Sequence, residues 1–549
     1  MPADQPQLLV VALDCARRGD FKAMSDICRH ILHADPDQPD ALHCMGLLQQ
    51  RIGDFETAIQ SHERAIHGRP DNAEYRHALA LAYRSAGRIA DAIEACEAAI
   101  RSDAGFVDAY VDLGRIFLVR GDHTNAISRL REAVERRPAD PKLHVTLGKA
   151  LAVAGNRNGA MNSFRRTIQM APATGSAWPA IGDLELSGGD RRAGMIAFAE
   201  GIAQDPHCTG NYLRLAPLLL SYGETGGAID CIRRGVALNP DTAALHVALA
   251  RLLLRTGQYR EAWPHYEKRL QLPPHASEMR RFVQPLWDGS DPTGMTLCVH
   301  CEPNAGETML FLRYLEPLAE RGARILLRCP PALRHLLAAL TTPASVRGTD
   351  EALPPFDRQT WLGSLPQLLG MGDPAELAPT PPGLSRGSAV NRWSERCADL
   401  APPIIGVHWR NASARALDEP HRLLEAMSGV EGSLIALQDR TMREEIETSG
   451  LLERVTQVGA GLEAGGDIVA NIAAAALHCD IIVTVDSAIA HIAAALDRPT
   501  IVLINGSEDF WWPADRNDVP WYRSLHLHRR AEGETDTQFL DRLLAPLRE

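Results

Sequence analysis

Apolar and small positions in the first half of the chain recur at one spacing, 34 residues, from about Asp4 to about Leu272. Small residues return at Gly46, Ala80, Gly114, Gly148, Gly182, Ala216 and Ala250. A second small series runs through Ala58, Ala92, Ala126, Ala160, Gly194, Ala228 and Ala262. Prolines follow at Pro36, Pro70, Pro138, Pro172, Pro206 and Pro240, with Ala104 at the missing step. Small residues let neighbouring helices approach closely, and a proline closes a helix where no backbone N–H is needed. A helix pair of this length cannot bury its apolar face alone and must stack on copies of itself. The pattern therefore predicts eight helix–turn–helix units in an all-α array over residues 1–272.

The period then changes. A proline-broken linker occupies 273–290, and beyond it short β-rich runs alternate with helical stretches. The runs are Leu297–His300, Ile325–Arg328, Ile404–Trp409, Leu434–Leu437, Ile481–Val485, Ile501–Ile504 and Leu525–His528. Strands that alternate with amphipathic helices predict parallel sheets covered on both faces. A seam at about Gly383–Pro403 divides them into two doubly wound, Rossmann-like lobes, 291–398 and 399–549, facing a cleft. The last helix, Thr537–Leu547, is expected to return to the first lobe.

Bulk properties narrow the function. A net charge of −12 with a pI near 5.9 argues against a nucleic-acid surface. No run of eighteen apolar residues exists, so no membrane span is expected, and the N-terminus has no basic start followed by an apolar stretch. Eleven scattered cysteines fit reduced thiols, and together these features predict a cytoplasmic protein. Cys298-Val-His-Cys301 has the spacing of a redox or zinc pair, but it lacks a second pair and lies on a strand.

Three constellations carry chemistry. In the first, a buried strand ends at Asp486, Ser487 is placed to cap the following helix, and His491 lies one turn in. Ligands of open α/β sheets bind outside the carboxyl ends of strands, and a helix N-terminus there favours phosphate. The alternative is a simple cap with His491 satisfied in the core. In the second, Cys301-Glu-Pro-Asn-Ala-Gly306-Glu307-Thr308 joins a strand to a helix. Gly306 allows close backbone approach and Glu307 is set at the cleft rim; the bland reading is a carboxylate favoured by the helix dipole. In the third, Gly406-Val-His408-Trp-Arg410-Asn411 ends a strand, where Arg410 can clamp a phosphate and His408 can relay a proton. Arg410 as an ordinary ion-pair partner is the alternative.

Two resemblances add to this reading. Tyr110-Val-Asp-Leu-Gly114 and Trp178-Pro-Ala-Ile-Gly182 resemble the tetratricopeptide repeat family, which implies a superhelix whose groove holds a protein. The stretch Asp486-Ser487-Ala-Ile-Ala-His491-Ile-Ala-Ala-Ala-Leu-Asp-Arg-Pro499 resembles the donor-binding segment of heptosyltransferase-like enzymes, glycosyltransferase family 9, with the GT-B fold. That resemblance implies a first lobe on the acceptor side and a second on the nucleotide-sugar side. Glu307 would be general base, one methylene longer than the commoner Asp, with His408 also catalytic. Gly306, Arg410, Asn411, Asp486, Ser487 and His491 would bind the donor. The His408-Trp-Arg410 stretch departs from the family pattern and is similar to the H-x-R of fucosyltransferases. Trp287-Asp-Gly-Ser290, Phe311-Leu-Arg-Tyr314-Leu and Trp512-Pro-Ala-Asp-Arg516-Asn-Asp-Val-Pro520-Trp-Tyr522 resemble bacterial chains that join such repeats to such a transferase, among them flagellin glycosyltransferases using CMP-nonulosonic acids. The aromatics of the last stretch are candidates for a donor-pocket wall, the alternative being packing under the C-terminal helix.

The expectation is a soluble inverting transferase that moves a sugar from a nucleotide sugar to a protein acceptor held by the repeats, with flagellin a specific candidate. No cofactor or metal is expected, since no D-x-D stands at a suitable strand end. The competing readings are a repeat scaffold with a degenerate transferase half, and a heptosyltransferase-like enzyme acting on glycolipid.

Overall fold

A computed structural model describes residues 5–548 of the chain, other than 19, 173–174, 176, 340–343, 378–387, 410–416, 418, 420, 439–445, 447–453, 458–467, 505–509 and 532. The chain divides into two compact units, Met1–Leu215 and Ala216–Glu549.

The first unit is all helical, from the pair Gln5–Arg18 and Phe21–Ala34 to the pair Trp178–Ser187 and Arg191–Gln204. The glycines of the first series, Gly46, Gly114, Gly148 and Gly182, each face a large side chain on the second helix of the pair: His62, Leu130, Phe164 and Phe198. A β-carbon on Gly148 would stand 2.4 Å from Phe164, and one on Gly182 would stand 2.3 Å from Phe198. The turn between the helices repeats as well. Gly53, Gly87, Gly121, Gly155 and Gly189 all hold φ between 76° and 87°, a left-handed conformation open to glycine without strain. Behind them, Asp20, Asp54, Asp122, Asn156 and Asp190 accept the N–H three residues on and start their second helices, whereas Arg88 before the helix Ile89–Ser102 makes no such bond.

The second unit opens with the last repeat helices, among them Thr225–Leu238, Ala243–Arg255 and Tyr259–Tyr266. Two sheets follow. The first contains β1 (Thr296–His300), β2 (Arg324–Cys329), β3 (Ala344–Gly348) and β4 (Arg358–Trp361), ordered β3-β2-β1-β4 and all parallel. The second contains β5 (Ile404–His408), β6 (Ser433–Ala436), β7 (Val455–Gln457), β8 (Ile481–Val485), β9 (Thr500–Ile504), β10 (Asp518–Val519) and β11 (Tyr522–Arg529). Its order is β10-β11-β9-β8-β5-β6-β7, parallel except for β10. The fold is thus an all-α repeat array followed by an α/β part, as the hydrophobic pattern predicts.

One expectation changes. The helix Asp536–Arg548 does not return to the first lobe: Phe539, Leu540, Leu543 and Leu544 pack with Ile405, Val407, Val483 and Leu503 in the core of the second sheet. Four apolar residues on one face find an unfilled sheet surface directly beside the strand that precedes them.

The last repeat is built into the first lobe. Arg269 reaches Glu302, just past β1, at 3.0 Å, and His275 Nε2 lies 2.8 Å from the other carboxylate oxygen. Gly363 N–H donates to the same group at 2.8 Å. Trp263 Nε1–H donates to the Gly372 carbonyl at 2.8 Å. Glu302 is wholly buried. Burial pushes its pKa up, but the charges of Arg269 and His275 outweigh that and hold it at about 2.

Removing one member of a buried, hydrogen-bonded pair strands the other charge, at a cost of about 3–5 kcal/mol. Arg269→Ala is therefore expected to lower stability by that amount in urea unfolding at pH 7, followed by tryptophan fluorescence. Glu302 titrates lower folded than unfolded. Its contribution is present above the unfolded carboxylate range, near 4.3, and is lost as pH falls through about 2. Glu302→Gln should remove that part of the acid dependence.

Candidate functional site

β5 and β8 are adjacent parallel strands with His408 in register with Thr484, so their carboxyl ends share one edge. That edge joins residues far apart in the chain. His408 Nδ1 lies 3.2 Å from the Thr484 hydroxyl and 3.3 Å from the Ser487 hydroxyl, and the Thr484 hydroxyl donates to the Val485 carbonyl at 2.9 Å. Ser487 holds the position before the helix Ala488–Ala495, but its side chain caps no N–H there. Its hydroxyl is turned instead to His408. Asp486 and Ser487 are half-buried, whereas His408 is 8% exposed.

His491, expected to reach an anion at this helix start, sits in a box of aromatic rings. Trp512 stacks on the imidazole at 4.9 Å and 15°, Trp511 meets it edge-on at 5.0 Å, and the Tyr522 hydroxyl lies 3.1 Å from Nδ1. Only 1% of the residue is exposed, and Nε2 has no hydrogen-bond partner among the described residues. Burial, with Arg313's charge adding to it, pushes its pKa down to about 3, so the ring is neutral at pH 7. Arg313 is itself buried, donating to the Leu310 and Trp521 carbonyls.

The second constellation packs against this box. Asn304 caps the helix Ala305–Phe311, accepting from Gly306 N–H at 2.7 Å and from Glu307 N–H at 3.4 Å. Gly306 faces His491 so closely that a β-carbon there would stand 2.7 Å from the ring. Glu307 follows it, 8% exposed, with the Tyr266 hydroxyl 3.5 Å from one carboxylate oxygen. Gly306 thus meets His491, and Ser487, four positions before His491 at the start of the same helix, meets His408. Arg410 and Asn411 lie outside the described residues. The Cys298 and Cys301 thiols are buried and pushed up by burial, Cys298 to about 12, which removes nucleophilic character at neutral pH.

Of the aromatic stretch Trp512–Tyr522, read from sequence as a pocket wall or as packing under the last helix, Trp512 and Tyr522 meet His491. Tyr266, Arg313 and Trp511 are neighbours that the sequence pattern does not mark. Each lies on an element remote from the motif it touches. Chemically, the set offers a carboxylate, a helix start, a hydroxyl and an imidazole that is not fully exposed.

The Gly306 contact can be tested directly. Gly306→Ala forces a methyl into the His491 ring and is expected to cost about 1–3 kcal/mol in chemical unfolding. Adding His491→Ala, which makes room, should recover part of that loss; independent, additive effects would show that the two residues do not meet.

The tetratricopeptide repeat family model matches residues 45–105, 77–141, 111–173 and 213–276. The model for glycosyltransferase family 9 (heptosyltransferase) matches 464–535, which includes Asp486, Ser487 and His491. No curated protein matches the chain. Among solved structures, MamA is 23% identical over 32% of this chain and 95% of its own, with a TM-score of 0.28. A tetratricopeptide repeat protein from Parabacteroides merdae is 15% identical over 45% and 98%, with a TM-score of 0.37. Yeast Tom70 is 14% identical over 48% and 57%, with a TM-score of 0.40. The chain thus joins tetratricopeptide repeats to a segment similar to glycosyltransferase family 9.

Proposed function

We propose that this chain is a glycosyltransferase that moves a sugar from a nucleotide-activated donor to a hydroxyl of a protein engaged by its repeats. One observation carries the reading. The family 9-like segment starts its helix at the carboxyl end of a parallel sheet, where Ser487 meets His408 from 79 positions earlier, and the same helix packs on the one bearing Glu307. Phosphate is favoured at such a helix start. Asp486 and Ser487, the more open residues, would orient it, and His408, hydrogen-bonded to Ser487, would meet charge that grows on the departing oxygen. Arg410 and Asn411 remain candidates for the same anion.

In this proposal Glu307 takes the proton from the acceptor hydroxyl as that oxygen attacks the anomeric carbon. The bond to the nucleotide phosphate breaks as the new glycosidic bond forms, inverting that centre. We propose the two-lobe arrangement as GT-B, working in the cytoplasm without a metal. His491 takes a changed part. Neutral and boxed by tryptophans, it fixes the helix start against Gly306. A protein acceptor is preferred over glycolipid because tetratricopeptide repeats suggest protein binding. Flagellin with a CMP-nonulosonic acid is the pair to try first.

The scaffold reading is favoured by one observation, the burial of His491, His408 and Glu307. The decisive experiment compares intact masses of candidate acceptors from cells with and without this gene. A mass step present only with the gene supports transfer and identifies the sugar; an unchanged acceptor that still binds the chain supports the scaffold.

Two variants refine the test. Glu307→Gln should bind donor nucleotide normally and lose most transfer; full retention would remove it as the base. Because His491 stays neutral above about pH 3, nucleotide affinity measured calorimetrically from pH 5 to 8 should carry no titration that His491→Asn abolishes.

A further inference from the structure

The last repeat contributes more than its fold to the second unit. The helix Tyr259–Tyr266 ends with Tyr266, wholly buried beside Glu307. Its ring is held on several sides: Trp263 at 5.7 Å, Phe311 at 6.2 Å and Phe510 at 5.6 Å, with the Arg269 guanidinium 4.3 Å above its face. Arg269 is fixed in turn by Glu302 at 3.0 Å. The phenol therefore has little freedom, and its hydroxyl lies 3.5 Å from Glu307 Oε2. That is long for a hydroxyl–carboxylate hydrogen bond. In so dry a site, however, an O–H dipole held beside a carboxylate acts far more strongly than in water.

We propose that Tyr266 is a positioning residue for Glu307, so that the terminal tetratricopeptide helix completes the reactive end of the transferase and ties the base to the acceptor-binding array. The inference rests on the reading of Glu307 as base. The phenol donates to the carboxylate, fixes which oxygen faces the acceptor hydroxyl, and holds the group ionised at lower pH. Burial, with Glu307's charge adding to it, keeps the phenol protonated well above its ordinary range, so it remains a donor throughout. The charged groups around it are Glu307, Arg269, Glu302 and Arg251.

The test uses the full chain, unmodified acceptor purified from cells lacking the gene, and the small-molecule extract of those cells as the source of donor. Transfer is read as mass gained per minute from pH 5 to 9. Tyr266→Phe keeps the packing and removes only the hydroxyl. A carboxylate that loses a donor becomes harder to ionise, so the acid limb should move up by about 0.5–1 pH unit, with a rate at pH 7 lowered roughly threefold to tenfold. 3-Fluorotyrosine at position 266, a stronger donor of nearly the same shape, should move the limb down. If Glu307→Gln is inactive while both changes at 266 leave rate and pH profile unaltered, the positioning role is overturned. If Glu307→Gln transfers normally, it is the reading of the base that fails. Should Tyr266→Phe prove unstable, the fluorinated chain alone decides, because a purely structural tyrosine gives it no shifted acid limb.

Discussion

One buried ion pair ties the last repeat to the first sheet of the second unit. Arg269 at the end of the repeats and Glu302 at the end of β1 are both nearly inaccessible to water, and each depends on the other for compensation. Isolated charges in such surroundings cost several kilocalories per mole, whereas a paired and fully hydrogen-bonded set is tolerated. His275 and the Gly363 N–H complete the set around Glu302. The constraint runs both ways: the last repeat cannot leave the first lobe without stranding a carboxylate, and β1 cannot shift without disturbing the helix that carries Tyr266.

From that anchor the candidate chemistry follows by contact. Arg269 lies over Tyr266, Tyr266 lies beside Glu307, Glu307 follows Gly306, and Gly306 meets His491 in the helix begun by Ser487. His491 works here through shape and neutrality. Burial, with Arg313's charge adding to it, keeps the ring uncharged, and the Tyr522 hydroxyl is within hydrogen-bond reach of Nδ1. In the proposed mechanism the Ser487 hydroxyl at the strand end and the His408 imidazole behind it meet the phosphate.

Much of this was legible in the chain. The 34-residue ladder gave the array because small residues at fixed places have one steric purpose, and the long apolar strands β5, β8 and β9 read clearly. β3, β4 and β7 escaped notice: Ala344–Gly348 is half polar, Arg358–Trp361 is only four residues long, and Val455–Gln457 only three. Short edge strands take their identity from the sheet they join. Two signals went unused. The glycine–polar pairs Gly53-Asp54, Gly87-Arg88, Gly121-Asp122, Gly155-Asn156 and Gly189-Asp190 mark successive turns with the same 34-residue period. Arg269 falls where earlier units have Ala99, Ala133, Thr167, Gly201 and Gly235, a large cation in a small residue's place. That break in the ladder marks where repeat packing gives way to lobe packing. The box around His491 is marked in the chain only by the aromatic stretch Trp512–Tyr522, and its walls lie 20 or more positions downstream, so no local pattern pairs them with that histidine.

Native-state hydrogen exchange tests the central claim, that the terminal repeat and the first lobe form one cooperative body joined by Arg269 and Glu302. Amides of the helices Ala243–Arg255 and Tyr259–Tyr266 should exchange together with those of β1, and under rising denaturant both should open in the same event. Exchange of these helices well before β1, with the strand's protection unchanged, would contradict the account.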